Sequence, residues 1–163
     1  MQEKIIIGID PGSFTTGFGI ISLKENGTFV HVTNGVISLT RNKSTELRIK
    51  DLANDLHFLL QKYQPHKAIV EDLFFFKHPR SALILGQARG AVLGMLGFLN
   101  IEVCSFTPTQ VKSLISGRGR ATKFQIAQII AYELNIPLPA HEDASDALSL
   151  ALAEVFFKKA IHT

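Results

Sequence analysis

Four carboxylates in this 163-residue chain stand where structural elements end or begin. Two of them close apolar, β-branched runs: Asp10 ends Ile5-Ile6-Ile7-Gly8-Ile9-Asp10, and Glu71 ends Ala68-Ile69-Val70-Glu71. In α/β sheets, side chains converge beyond the carboxyl ends of the strands and ligands bind there. Asp143 and Asp146 stand three apart at the start of a helical stretch, a spacing that puts both on one face. An all-oxygen set of hard carboxylates suits Mg2+ or Mn2+, and two such ions serve an in-line displacement at a phosphodiester. Each acid also has an ordinary use. Asp10 suits a turn cap, Glu71 a surface acid at a strand end, and Asp143 with Asp146 a complement to a helix N-terminus. All four together, beside a basic segment, favour metal chemistry.

That basic segment runs from residue 73 to residue 132. It holds Lys77, Arg80, Arg89, Lys112, Arg118, Arg120 and Lys123 against one acid, Glu102. Seven minus one makes it +6, so the rest of a chain with net charge +3 is −3. Such asymmetry is the sequence form of a phosphate-backbone footprint, although a solvated cluster of cations gives the same count. Gly117-Arg118-Gly119-Arg120 is too short for a dinucleotide or P-loop fingerprint and reads as a basic loop gripping phosphates.

The elements that must position these groups follow from periodicity and turn chemistry. Residues 4–9 read as a buried strand, and 17–23 and 28–39 follow as strands around the turn Glu25-Asn26-Gly27, which predicts an antiparallel meander. Residues 44–63 predict an amphipathic helix capped by Ser44. A short strand over 67–72, a helix over 79–100 and a strand over 102–106 come next. Thr107-Pro108 reads as an N-cap with a first-turn proline, and Thr122-x-x-Gln125 as a capping box opening a helix through Leu134. The last predicted helix, 143–159, has Leu148, Leu152, Val155 and Phe156 on one apolar face. In the 79–100 helix, Ala82, Gly86, Gly90 and Gly94 lie along one ridge. Glycine costs about 1 kcal/mol per site there, so that ridge serves close approach by another backbone, either the protein's own sheet or a second copy. The order predicts an α/β protein with helices layered on a mixed sheet.

Composition narrows the setting. Hydrophobic residues at 46% and charged ones at 19% exclude disorder, and the length fits a single domain over 1–163. The single Cys104 excludes an internal disulfide and a multi-cysteine metal site, and reads as a small buried hydrophobe. The opening residues carry no signal peptide, and Gln87 and Arg89 interrupt the apolar stretch over 81–101, so a cytoplasmic protein is expected.

The chain also resembles a known family. Gly8-Ile9-Asp10-Pro11-Gly12-Ser13 followed by Thr16-Gly17-Phe18-Gly19 is similar to the opening of the RuvC family of Holliday junction resolvases. Val70-Glu71-Asp72-Leu73-Phe74, Leu85-Gly86-Gln87-Ala88-Arg89-Gly90, Thr107-Pro108-x-Gln110-Val111-Lys112, Gly117-x-Gly119-x-Ala121-x-Lys123 and Asp143-x-x-Asp146-Ala147-Leu148 match later blocks in order. The resemblance implies a ribonuclease-H-like fold with a mixed five-stranded sheet flanked by helices. It implies a homodimer that makes paired symmetrical Mg2+-dependent nicks in four-way DNA junctions, working with a branch-migration helicase complex of the RuvA and RuvB type. Carried over by position, the catalytic and metal-binding acids are Asp10, Glu71, Asp143 and Asp146, with about two ions per subunit. Lys123 is expected to stabilise developing phosphate charge, and Lys112 to contact DNA. Phe74 falls at an aromatic position used near the junction centre, within the run Phe74-Phe75-Phe76. Lys77, Arg80, Arg89, Arg118 and Arg120 are the remaining expected DNA contacts. His141 and Glu142 stay open as companions of Asp143 at the metal.

Three other functions compete. A ribonuclease acting on RNA/DNA hybrids shares the acids, but the Gly-Arg loop and the glycine ridge favour a junction. A kinase-like ATPase needs two such domains and a second phosphate loop. A non-catalytic junction binder has no reason to keep four acids at element ends.

Overall fold

The computed structural model describes residues 3–72 and 79–161. Its strands are β1 (Lys4–Asp10), β2 (Thr15–Leu23), β3 (Phe29–Ser38), β4 (Lys67–Glu71) and β5 (Glu102–Phe106). Its helices are α1 (Thr45–Tyr63), α2 (Pro79–Phe98), α3 (Pro108–Ser116), α4 (Lys123–Leu134) and α5 (Glu142–Ile161). The strands form one sheet in the order β3-β2-β1-β4-β5. The expected meander is present, since β2 runs antiparallel to both β1 and β3, while β4 lies parallel to β1 and to β5.

Strand alternation sorts the core into two layers. Ile7, Ile9, Ile20, Ala68 and Val70 join Leu52, Leu56 and Leu60 of α1 and Ala88, Val92 and Leu96 of α2 on one face. Ile6, Ile21 and Ile69 face the other way, toward α3, α4 and α5. β1 and β4 are therefore buried on both sides, which is why they read as unbroken apolar runs.

α5 is the structural surprise. The expected single apolar face is corrected: every residue from Ala144 to Val155 except the half-buried Asp146 is buried. The helix lies between the sheet and α3 and α4, so it has no outer face there. Its near contact with the sheet depends on glycine. A Cβ on Gly8 would stand 1.9 Å from the Ala147 carbonyl oxygen, and one on Gly17 2.0 Å from that of Asp143. Backbone thus meets backbone, and the first two turns of α5 settle into a trough across β1 and β2. At its far end Glu154, 1% exposed, takes Lys67 at 2.8 Å and Lys158 at 3.1 Å. Lys67 also reaches Glu102 of β5 at 2.8 Å.

Two other readings change. Ser44 occupies the N-cap of α1, but its hydroxyl donates to the Glu46 carboxylate at 2.5 Å and caps no backbone N–H. On α2, the glycine ridge does not pack on the protein's own sheet, because Gly86, Gly90 and Gly94 all open onto empty space. Leu83 stands 63% exposed on the same helix. α2 is long and apolar enough by length and composition to cross a membrane; here Ala88, Val92 and Leu96 bury one side of it against the sheet.

Candidate active site

β1 and β4 are neighbours in parallel register, with Ile9 opposite Val70, so Asp10 and Glu71 leave the same edge of the sheet side by side. Both follow the alternation that sends Ile6 and Ile69 toward α5. The trough then delivers Asp143 and Asp146 from the first turns of that helix. The result is a cleft of about 310 Å3 lined by Asp10, Glu71, Asp143 and Asp146, with Lys112 from α3 and Lys123 from α4. Threonine caps aim the two lysine-bearing helices. Thr107 and Thr122 each accept from the backbone N–H three residues on and are answered by Gln110 and Gln125, so both predicted N-termini are present.

The electrostatics record how crowded the acids are. Burial, then repulsion by Glu71 and Asp146, pushes Asp10 up to about 8, with Asp143 adding to it. Asp10 also shares a hydrogen bond with Glu71, whose own pKa is raised, chiefly by burial. Burial pulls Lys123 down, but its hydrogen bonds to Asp146 and Glu142 outweigh that and leave it raised. Its Nζ donates to Asp146 Oδ2 at 2.8 Å and pairs with Glu142. Glu142 is held below the usual carboxylate range by that lysine.

Four hard oxygen donors crowded into one cleft, where burial and then mutual repulsion raise the Asp10 pKa, fit a divalent cation, since cationic charge offsets that repulsion. Among the described residues, no three His, Cys, Asp or Glu side chains are drawn together closely enough to hold a metal ion as they stand. The acids line one cleft, with Lys123 holding Asp146.

The other expected site residues divide. Arg118 and Arg120 are exposed and line a separate groove of about 670 Å3 with Gln125 and Gln128. Arg80 is exposed on the first turn of α2. Arg89, another expected DNA contact, has partners within the fold. It donates to the Glu71 carbonyl at 3.0 Å, Ser105 Oγ at 3.2 Å and Asp72 at 3.3 Å, so it ties the ends of β4 and β5 together beneath the cleft. Phe74 and Lys77 lie outside the described residues. Glu142 meets Lys123 rather than the acids, and the carbonyl of the exposed His141 accepts from the Ser145 N–H.

Two contributors were not singled out from sequence. Thr15 Oγ1 donates to Asp143 Oδ2 at 2.5 Å. Gly17, directly opposite Asp10 in the sheet, admits the Asp143 backbone. Alternating glycines inside an apolar strand were the available signal for the second.

This sheet order, with acids at the ends of β1 and β4 and at the start of α5, is that of a ribonuclease-H-like fold. The family model described as crossover junction endodeoxyribonuclease RuvC matches residues 6–154. RuvC of Citrifermentans bemidjiense is 44% identical over 148 residues, covering 91% of this chain and 90% of its own. The Thermus thermophilus RuvC structure superposes with a TM-score of 0.87 at 26% identity, covering 96% of each chain. A T. thermophilus RuvC in complex with Holliday junction substrate shares the fold at TM-score 0.86 and 23% identity, again over 96% of each. The chain belongs to the RuvC family of crossover junction endodeoxyribonucleases, which are metal-dependent nucleases.

Proposed function

We propose that this protein resolves four-way DNA junctions by paired symmetrical nicks, as one nuclease domain per subunit of a homodimer. The observation that carries this is the meeting of Asp10, Glu71, Asp143 and Asp146 in one cleft with Lys112 and Lys123, in a chain of this family. Mg2+ is the proposed cation, two ions per subunit, held by those four carboxylates. Such ions, when bound, supply Lewis acidity and lower the pKa of the attacking water.

The chain's own groups do the rest. Asp10 would serve as an ionised carboxylate ligand, since cationic charge beside it would offset the burial and repulsion that raise its pKa. Lys123 then exchanges its carboxylate partners for phosphate oxygen and stabilises the charge that builds there in the transition state. Water adds to phosphorus and the 3′-oxygen leaves, giving a 5′-phosphate and a 3′-hydroxyl. Lys112, at the cleft wall, holds the strand by its phosphates. Arg118 and Arg120 extend that grip outside the cleft, and Arg80, Lys77 and Phe74 are proposed to meet the junction.

The open glycine ridge of α2 supports the homodimer, since two such ridges pack backbone to backbone and a two-fold protein matches a two-fold substrate. Cooperation with a RuvA and RuvB type helicase complex is proposed from family membership alone.

A single-turnover assay on a labelled synthetic junction with Mg2+ is the test. Wild type should make paired nicks and spare an RNA/DNA hybrid, while Asp146→Asn should bind the junction without nicking. Faster cleavage of the hybrid, or wild-type nicking by Asp146→Asn, overturns the reading.

A further inference from the structure

An aspartate in the first turn of a helix has an alternative use: it can bond its own helix N–H groups and complement the dipole there. Asp143 is in that place on α5, and its carboxylate goes elsewhere. Thr15, the first residue of β2, donates its hydroxyl to Asp143 Oδ2 at 2.5 Å across 128 residues of sequence. Both side chains are half-buried, so water competes little for the bond. Thr15 shares a face of β2 with Gly17, whose missing Cβ lets the Asp143 backbone sit against the strand. Strand and helix are thus locked at two points, one through backbone contact and one through this hydroxyl. With Oδ2 so engaged, the carboxylate is fixed in rotamer, and Oδ1 is left without that bond.

From this we propose that Thr15 is a positioning residue for divalent-cation binding, acting through Asp143; the inference rests on the metal reading of the cleft given above. A hydroxyl behind a ligating carboxylate raises cation affinity by paying the ordering cost of the ligand in advance. Loss of such a partner typically weakens metal binding about 10- to 100-fold. Because Thr15 stands behind a ligand and touches neither DNA nor the reacting atoms in this scheme, its loss should leave the rate at saturating cation nearly unchanged.

The test uses the full chain without DNA, titrated with Mn2+ and read by the electron paramagnetic resonance of free Mn2+. Thr15→Val removes the hydroxyl and retains a β-branched strand residue, and should weaken binding by about tenfold or more. Thr15→Ser keeps the hydroxyl and should stay close to wild type. Thr15→Ala, which should behave as Thr15→Val does, covers the case in which valine disturbs folding, and urea unfolding checks each variant. In the nicking assay, Thr15→Val should raise the half-saturating Mg2+ concentration while kcat at saturating Mg2+ holds. The proposal falls if both Thr15→Val and Thr15→Ala bind Mn2+ within about twofold of wild type, or if Thr15→Ser loses as much as they do. Wild type that takes up no Mn2+ overturns this proposal and the metal reading together. Normal Mn2+ uptake with no junction cleavage overturns only the proposed substrate.

Discussion

Replacing Asp10 by asparagine should stabilise the metal-free protein while destroying its proposed activity. In the folded chain the Asp10 pKa rises from 3.8 to about 8, through burial first and then the charges of Glu71 and Asp146. At pH 7 the native protein therefore holds a proton that the unfolded chain has released. Between about pH 4 and pH 8 the native state binds more protons than the unfolded state, so stability falls as pH rises across that window. One pKa unit corresponds to about 1.36 kcal/mol, which makes the fall between pH 5 and pH 7 about 3 kcal/mol from this group, and the whole cost at pH 7 about 4 kcal/mol. Asparagine cannot ionise and carries none of that cost. Setting about 1 kcal/mol against it for the altered hydrogen bond to Glu71, Asp10→Asn should be more stable than wild type by about 3 kcal/mol at pH 7, and the gap should nearly close by pH 4. Glu71 shifts in the same direction and shares a hydrogen bond with Asp10, so the difference between the two proteins reports the Asp10–Glu71 pair titrating together. Lys123, a raised cation, loses its contribution only as pH climbs past 10.5 and does not enter the window. The assay is urea unfolding in excess chelator at four pH values from 4 to 8. Parallel pH profiles for the two proteins would refute the reasoning.

Other expectations follow from single contacts. Lys112→Ala should weaken junction binding and flatten the slope of log affinity against log salt by about 0.9 if it neutralises one phosphate, measured by gel-shift titration. Lys123→Ala should cost more in single-turnover rate than in affinity, because a group that stabilises transition-state charge acts on the chemical step. Gly17→Ala places a methyl 2.0 Å from a backbone oxygen; it should lower the thermal midpoint and cost more than about 2 kcal/mol, at the overpacking end of core substitutions. Gly90→Leu should reduce a species of about twice 18.0 kDa toward monomer in light scattering, since the added side chain blocks ridge contact.

Much of this was legible in the residues. Ile5 to Asp10 announced a doubly buried strand with an acid at its carboxyl end, and the N-cap and proline at Thr107-Pro108 with the capping box at Thr122 marked the start of two helices. Local chemistry decides those features, so local sequence reports them. The misreadings share one cause, a partner distant in the chain. The partners of Arg89 within the fold were invisible because its acceptors, the Glu71 carbonyl and Ser105, are 18 and 16 residues away. α5 looked one-sided because its second neighbour layer, α3 and α4, is visible only after folding. The role of Glu142 stayed open in the sequence because its partner, Lys123, is on another helix. Ser44 is the exception, since its hydroxyl is taken by the carboxylate of Glu46 only two residues on and not by the N–H groups it was expected to cap.

The distance in sequence between the acids also governs when the cleft can exist during synthesis. Asp10 and Glu71 sit on strands made early, but their partners arrive on α5, more than 70 residues after Glu71 and 133 after Asp10. Until that helix fills the trough over Gly8 and Gly17, the strands carry an uncovered apolar face and half a donor set. Contacts of such long range close late, since loop entropy must be met before they form. A ribosome-bound chain therefore passes through most of its length with no assembled cutting centre, and competence to break DNA coincides with completion of the core.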